Sequence, residues 1–383
     1  MSKILKLPNI KKAGSLKGKT VLLRSSLNVP IADGVVIDDF RIIRSLETIK
    51  FLSQQGAKTV IVSHVGRDKS DTLKPVYKSL KNHIQIKWGG VFSSNEGQNA
   101  VSNLKPGEIV LLENLRQHDG ETMNDKKFAA KLAKLGEIYV NDAFAASHRS
   151  HASLVGVPEK LPSYFGLNFL REYEELEGAR TPKHPSLFIL GGAKFETKLP
   201  LVQLYIKRYD EVFVGGALAN DIFKARGYEI GQSLVSDVDL RGSSILESNE
   251  LLLPLDVVVE GLDGISIKDP ENVLLTDKIV DAGPKTVRML NTKIKKAKNI
   301  LWNGPLGNYE DGFGEPTTMV GVAVAKSRGH SVVGGGDTVA ALIANVDISG
   351  ISFISTAGGA MLTLLETGTL PAIDAILDSK FGV

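Results

Sequence analysis

Lys194 and Lys198 stand four residues apart directly behind the pair Gly191 and Gly192, a spacing that puts both amines on one face of a starting helix. Asp337 follows three consecutive glycines, Gly334, Gly335 and Gly336, and precedes Thr338. Glycines let backbone N–H groups and a helix N-terminus approach phosphate oxygens. Lysines neutralise those oxygens, and a single carboxylate can hold a magnesium ion that keeps several waters. Asp337 is equally well placed to cap the helix-like run that starts near Val339. Neither G-x-G-x-x-G nor G-x-x-x-x-G-K-[ST] occurs, so the dinucleotide fingerprint and the P-loop find no support, and a nicotinamide oxidoreductase is disfavoured.

A second set of residues is basic. Arg24, Arg41, His64 with Arg67, Arg116, and His148, Arg149 and His151 fall at the ends of expected strands or at a helix start. Arginine forks match carboxylate and phosphate oxygens in two-point geometry. Taken singly, each is a surface arginine with a solvated head. As a set, "SHVGR" and "ASHRSH" place histidine and arginine together where strand ends converge, and clustered cations call for an anion. A nucleotide on one half of the chain, a small anion on the other, and phosphoryl transfer between them suit these two half-sites.

The elements that must position them are short β-branched runs followed by stretches of helical period. "TVLLR" precedes "DDFRIIRSLETIKFLSQQG", "KTVIVSH" precedes "LKPVYKSLKNH", and "EIVLLEN" precedes "DKKFAAKLAKLG" and "EIYVNDA". In the first helix Phe40, Ile43, Leu46, Ile49 and Leu52 recur at the helical interval, with Asp38 or Asp39 as N-cap and Gly56 as the stop. The second half repeats the rhythm with "PSLFILGG", "EVFVGG", "ELLLPLDVVV", "NILWNGP", "SVVGGG" and "GISFISTAGG". Nearly all of these end in glycine, at Gly191 and Gly192, Gly215 and Gly216, Gly304 and Gly307, Gly334 to Gly336, and Gly358 and Gly359. One such pair is as readily a tight turn; the series at one sheet edge reads as a ligand site, because open α/β sheets bind beyond the carboxyl ends of their strands. Apolar strands alternating with helices predict an α/β fold with parallel sheets.

At 383 residues the chain exceeds the ~250–300 at which single cores stop growing, so two domains are expected. The charged stretch "FLREYEELEGARTPKHPSL" reads as a connecting helix and linker. Lys and Arg number 46 against 43 Asp and Glu, a net charge of +3, too weak to point to nucleic acid. The chain has no cysteine, which excludes disulfides and thiolate chemistry. "MSKILKLPNIKKAGSLKGKT" lacks the ~7–15-residue apolar core of a secretory signal. "GISFISTAGGAMLTLL" is too broken by serine, threonine and glycine to span a bilayer. A cytoplasmic protein with no membrane association is the expectation.

With these residues in place, the sequence resembles the phosphoglycerate kinase family nearly end to end. "VLLRSSLNVP", "DDFRI", "SHVGR", "LLENLRQHDGE", "YVNDAFAASHRSHAS", "GGAKFETK", "WNGPLGNYE", "GGGDT" and "STAGGA" occur in the family's order at compatible spacings. The resemblance implies two Rossmann-like three-layer α/β/α domains with parallel sheets joined by a hinge. It puts a phosphoglycerate-binding domain at 1–170 with the tail 371–383 packed back on it, and a nucleotide-binding domain at 171–370. It implies the glycolytic transfer between 1,3-bisphosphoglycerate and ADP that gives 3-phosphoglycerate and ATP, with Mg2+, in a monomer. Asn28, Arg41, His64, Arg67, Arg116 and Arg149 would take the glycerate. Lys198, Gly215, Gly216, Asn303, Pro305, Glu310 and Gly335 to Thr338 would take the nucleotide, with Glu310 on the ribose and Asp337 on the metal. Arg41 and Lys194 would stabilise the transferring group.

The chain departs from the family pattern in places. Ser26 stands where the family carries an aspartate that accepts from the substrate hydroxyl, and losing that acceptor costs ~1.5–3 kcal/mol. That substitution is the support for the alternative of a catalytically weakened homologue that binds metabolites. Gln117 replaces an aromatic, Glu196 and Thr197 replace Ser-Asp, and Ala357, with Met361 nearby, interrupts a usual glycine triplet. Ala357 is tolerable only where the backbone needs neither positive φ nor close ligand approach.

Overall fold

The computed structural model describes residues 5–193 and 195–381, which form two units, 1–174 with 367–383 and 175–366. Lys194 lies outside the described residues.

In the first unit, β1 (Thr20–Ser25) is followed by a small hairpin, β2 (Ile31–Ala32) and β3 (Val35–Val36). Next come β4 (Lys58–Val62), β5 (Lys87–Gly90), β6 (Ile109–Leu112), β7 (Ile138–Asp142) and β8 (Ser163–Phe165). The main sheet has the order β5-β6-β4-β1-β7-β8, and every pairing is parallel. Its central strands are buried on both faces, as Val21, Leu22, Leu23, Val60, Ile61 and Val62 show at 0% exposure. That double burial is why they read as continuous apolar runs rather than as alternation.

The helix Phe40–Gln54 buries Ile42, Leu46, Ile49 and Leu52. Ile43 is 43% exposed, so the buried stripe runs through Ile42 instead of the expected Ile43, and Phe40 stays at the rim beneath Arg44. Asp39 occupies the N-cap without a side-chain cap, while Asp38 Oδ1 accepts from Phe40 N at 2.9 Å. Gly56 ends the helix at φ +73°. Near the chain's end, helix Pro371–Leu377 packs on the π-helical turn Ala152–Gly156. Ala372 joins Ala143, Ala146 and Leu154 in one cluster, and Ser379 Oγ donates to Pro158 O at 2.7 Å.

In the second unit, β9 (Ser186–Leu190), β10 (Glu211–Val214), β11 (Leu251–Leu252), β15 (Asn299–Asn303), β16 (His330–Gly334) and β17 (Phe353–Ser355) form a second all-parallel sheet. Its order is β11-β10-β9-β15-β16-β17. Both units are thus Rossmann-like. "ELLLPLDVVV", expected as one strand, divides at Pro254, which has no N–H to give to a ladder. Leu251–Leu252 stays in the parallel sheet. β12 (Val257–Gly261) instead pairs antiparallel with both β13 (Gly264–Lys268) and β14 (Lys278–Ala282). The two-residue turn Leu262–Asp263, closed by Gly264 at φ +98°, is a D-G hairpin signal readable in the sequence. Among the described residues no single helix is long and apolar enough to cross a membrane.

Candidate active site

The series of glycines in the second unit stands at the carboxyl edge of one sheet, after β9, β10, β15, β16 and β17. Much of it serves close packing of loops. A Cβ on Gly191 would strike Pro305 O, and one on Gly304 would strike Gly191 O. These loops are tied by Gly191 N donating to Asn303 O at 2.9 Å and Gly192 N to Pro305 O at 3.0 Å. Gly216 needs its φ of +61° and leads into helix Ala217–Ala225.

The triple glycine divides into three separate cases. A Cβ on Gly334 would run into Met361 Sδ. Gly335 has φ +101° and packs close to Asn303 and Thr338. Gly336 has nothing among the described residues within 4 Å of a Cβ position and opens the ten-residue helix Gly336–Asn345. Only the last leaves its space to something outside the protein. Asp337 sits in the first turn of that helix, with Gly335 as N-cap, so it is not the capping residue. Its carboxylate is exposed. Thr338 Oγ1 is buried and accepts from Gly304 N at 2.8 Å, and Asn303 is buried beside Met361.

Lys198, in helix Phe195–Tyr205, is buried and donates from Nζ to Gly191 O at 2.5 Å. Burial pushes its pKa down to about 8, and the charge of Asp337 works against that fall. A cavity of about 360 Å3 opens beside these groups, lined by Gly216, Phe223, Leu234, Leu306, Glu310 and Asp337 among others. Its apolar walls suit a flat base and its edge suits phosphates. Phe223, Leu234 and Leu306 escaped the sequence reading, because apolar residues at such spacing are indistinguishable from core. Pro305 is half-buried in the same lining and Glu310 is exposed. Ala357 lies outside the positive-φ positions, and Gly358 takes the left-handed turn at +43°.

In the first unit the basic residues come from loops after the strands β6, β4 and β7, from Arg24 near the end of the adjacent β1, and from the start of helix Phe40–Gln54. Asn28 Oδ1 accepts from Gly66 N at 2.9 Å, and Arg41 Nη1 donates to Asn28 O at 2.7 Å. Arg116 Nη1 donates to Gly66 O, which ties the loop before Arg67 to both arginines. Arg67 is exposed; Arg41, Arg116, His148, Arg149 and His151 are half-buried. Arg24 and His64 are buried, and the Arg24 guanidinium is fully engaged with protein groups. Ser26 is half-buried and makes no side-chain hydrogen bond among the described residues.

Crowded cations mark this basket. Burial, then Arg149 and Arg24, bring the Arg116 pKa down to about 10. Burial, then Arg24, Arg116 and Arg149, bring His151 to about 4, so that ring is neutral at pH 7. The fully buried Glu121 lies among them, 3.9 Å from His151 Nδ1. No group of three or more His, Asp or Glu able to hold a metal occurs among the described residues. A single hard oxygen ligand, Asp337, beside an open helix start fits a cation that arrives on phosphates.

The family model for phosphoglycerate kinase matches residues 10–368. Phosphoglycerate kinase of Dictyoglomus turgidum is 40% identical over 384 residues, covering 95% of this chain and 97% of the relative. The Rhizobium meliloti enzyme is 38% identical over 385 residues, 94% and 96% of the respective chains. Among solved structures, phosphoglycerate kinase from Coxiella burnetii superposes with a TM-score of 0.84 at 34% identity, covering 97% of this chain and 99% of that one. The Pyrococcus horikoshii enzyme gives 0.86 at 31% identity, with coverage of 98% and 100%.

Proposed function

The chain belongs to the phosphoglycerate kinase family, and from that premise we propose how its residues divide the work of the family's reaction. It is a kinase that transfers a phosphoryl group reversibly between 1,3-bisphosphoglycerate and ADP, giving 3-phosphoglycerate and ATP. The acceptor in the ATP-consuming direction is the glycerate carboxylate, so the enzyme is a phosphotransferase with a carboxyl group as acceptor. A carboxylate oxygen forms the new bond to the γ-phosphorus, the bond from that phosphorus to the β-phosphate oxygen breaks, and ADP leaves. No proton moves, because a carboxyl with a pKa near ~4 is already ionised at neutral pH, and no general base is needed.

What remains is charge neutralisation, alignment and exclusion of water. Arg41, Arg67, Arg116 and Arg149, with Asn28, His148 and His151, hold the glycerate phosphate and carboxylate, and the free hydroxyl of Ser26 meets the substrate hydroxyl. Arg24 supports that basket from behind, and His64 joins it at the buried side. The nucleotide base lies in the cavity beside Phe223, Leu234 and Leu306, its ribose on Glu310 and its phosphates over Gly215, Gly216, Gly336 and Thr338. Lys198 neutralises phosphate charge, as does Lys194 by its place in the family motif. Mg2+ would be held by Asp337 and supplies countercharge to the phosphates. Each half-site is built within one chain, so a monomer suffices, and its partners are small charged metabolites of the cytoplasm.

The observation that carries the nucleotide assignment is Gly336, open to the outside at a helix start with Asp337 one residue on. A coupled assay with ATP and 3-phosphoglycerate tests the reading, and absence of turnover with native protein would defeat it.

A further inference from the structure

Glu121 is fully buried, and among the described residues the basic side chain within salt-bridge range of it is His151, whose ring is neutral at pH 7. Its Oε1 accepts from Ser153 Oγ at 2.6 Å and its Oε2 from Ser153 N at 2.9 Å. The Ser153 hydroxyl has one hydrogen, which it gives to Glu121, so toward Arg24 Nε at 3.0 Å it acts as acceptor. Tyr139 on β7 pins the same residue by donating to Ser153 O at 2.7 Å. Arg24 Nη1 donates to Ser25 O at 2.6 Å, and Arg24 Nη2 lies 2.7 Å from His64 Nδ1.

The last contact settles a chemical question. A guanidinium carries donors only, so His64 Nδ1 must accept, and a neutral ring then bears its hydrogen on Nε2. Burial and the surrounding arginines hold the His64 pKa well below its usual value, which agrees with a neutral ring at pH 7. Burial works against the charge on Arg24, and Glu121 is the foremost group that opposes that effect.

We propose that Glu121, Ser153 and Arg24 form a positioning relay that fixes His64 as a neutral Nε2–H donor toward the glycerate anion. Glu121 orients the serine, the serine orients the guanidinium, and the guanidinium selects the tautomer. His64 thereby offers a directed hydrogen bond rather than a charge or a base. This inference rests on the reading of the basket as the phosphoglycerate site.

Nitrogen NMR of the histidine rings in the wild-type kinase at pH 7, assigned by comparison with His64→Gln, reads the tautomer directly. A protonated Nε2 and a bare Nδ1 are expected; an Nδ1–H or doubly protonated ring overturns the relay with no mutant required. Ser153→Ala and Glu121→Gln should then mix the tautomers and raise KM for 3-phosphoglycerate about tenfold, the scale of a lost hydrogen bond to a charged group. Over the same variants kcat and KM for ATP should stay within about twofold. Wild-type tautomer and KM in both variants overturn the relay, and so does a fall in Tm with equal loss for both substrates, which marks a purely structural role. If wild-type protein binds ATP but not 3-phosphoglycerate in calorimetry, the basket reading fails instead, while the tautomer still reports on the relay.

Discussion

Gly334 and Met361 occupy one another's margin: β16 passes so close to helix Gly359–Thr367 that a Cβ on Gly334 would collide with the Met361 sulfur. The first glycine of the triplet is therefore demanded by packing, the second by its backbone, and the third by neither.

These three glycines should separate on substitution. Gly334→Ala overpacks and should cost about 1–3 kcal/mol. Gly335→Ala forces an alanine to φ +101° and should cost about as much. Gly336→Ala should keep or raise Tm, since alanine is the better helix former by about 1 kcal/mol, yet raise KM for ATP several-fold. Thermal melts beside ATP kinetics check this. A Gly336→Ala protein as unstable as Gly334→Ala with unaltered KM would remove the case for a phosphate there.

Lys198 predicts an alkaline limb. Its folded pKa of about 8 lies below the ordinary lysine value because burial penalises the ammonium, so its charge is lost as pH rises through about 8. The kcat/KM for ATP, which reports the free enzyme, should fall tenfold per pH unit above that point. Lys198→Arg, charged throughout, should flatten the limb. An unbroken plateau to pH 9.5 in native protein would contradict the role of this amine.

Asp337 should act through both the metal and that lysine. Asp337→Asn should raise the Mg2+ concentration needed for half-maximal ADP affinity, with metal-free ADP binding little changed. It should also move the alkaline limb to lower pH, because the Asp337 charge supports the Lys198 ammonium. Equal weakening with and without metal would leave only a local structural role.

Asp142 makes a stability prediction of opposite sign to the usual carboxylate. Burial raises its pKa to about 7, although Oδ1 accepts from Phe169 N at 2.9 Å near the start of helix Leu167–Arg180. Folded protein thus binds more protons than unfolded protein between about pH 4 and 7, so stability falls as pH rises through that window. Asp142→Asn keeps an oxygen for Phe169 and should flatten the slope, gaining on the wild type at pH 8 relative to pH 5. Asp281, raised to about 7 by burial in the second unit, should leave a residual slope of the same sign. Denaturant titrations across pH 4–8 measure it; parallel curves for the two proteins would refute the assignment to Asp142.

The parallel sheets were legible because strands buried on both faces are apolar along their middle, as Val21 to Leu23 and Val60 to Val62 are. Glycines at strand ends were legible too, since turn geometry and phosphate approach both demand them locally. The stripe through Ile42 rather than Ile43 was not, because a few degrees of helix rotation are set by the neighbouring sheet. Nor could the chain by itself rank the basket arginines. Arg24 meets Ser153 across a sequence separation of 129 residues, and only that contact makes it a buried member of a network instead of a solvated side chain. The same holds for the apolar cavity wall at Phe223, Leu234 and Leu306, and for the carboxyls of Asp142 and Asp281. Residue type determines which chemistry is available at a position, whereas burial and partners, which only the tertiary structure supplies, decide the charge state and the direction in which it is offered.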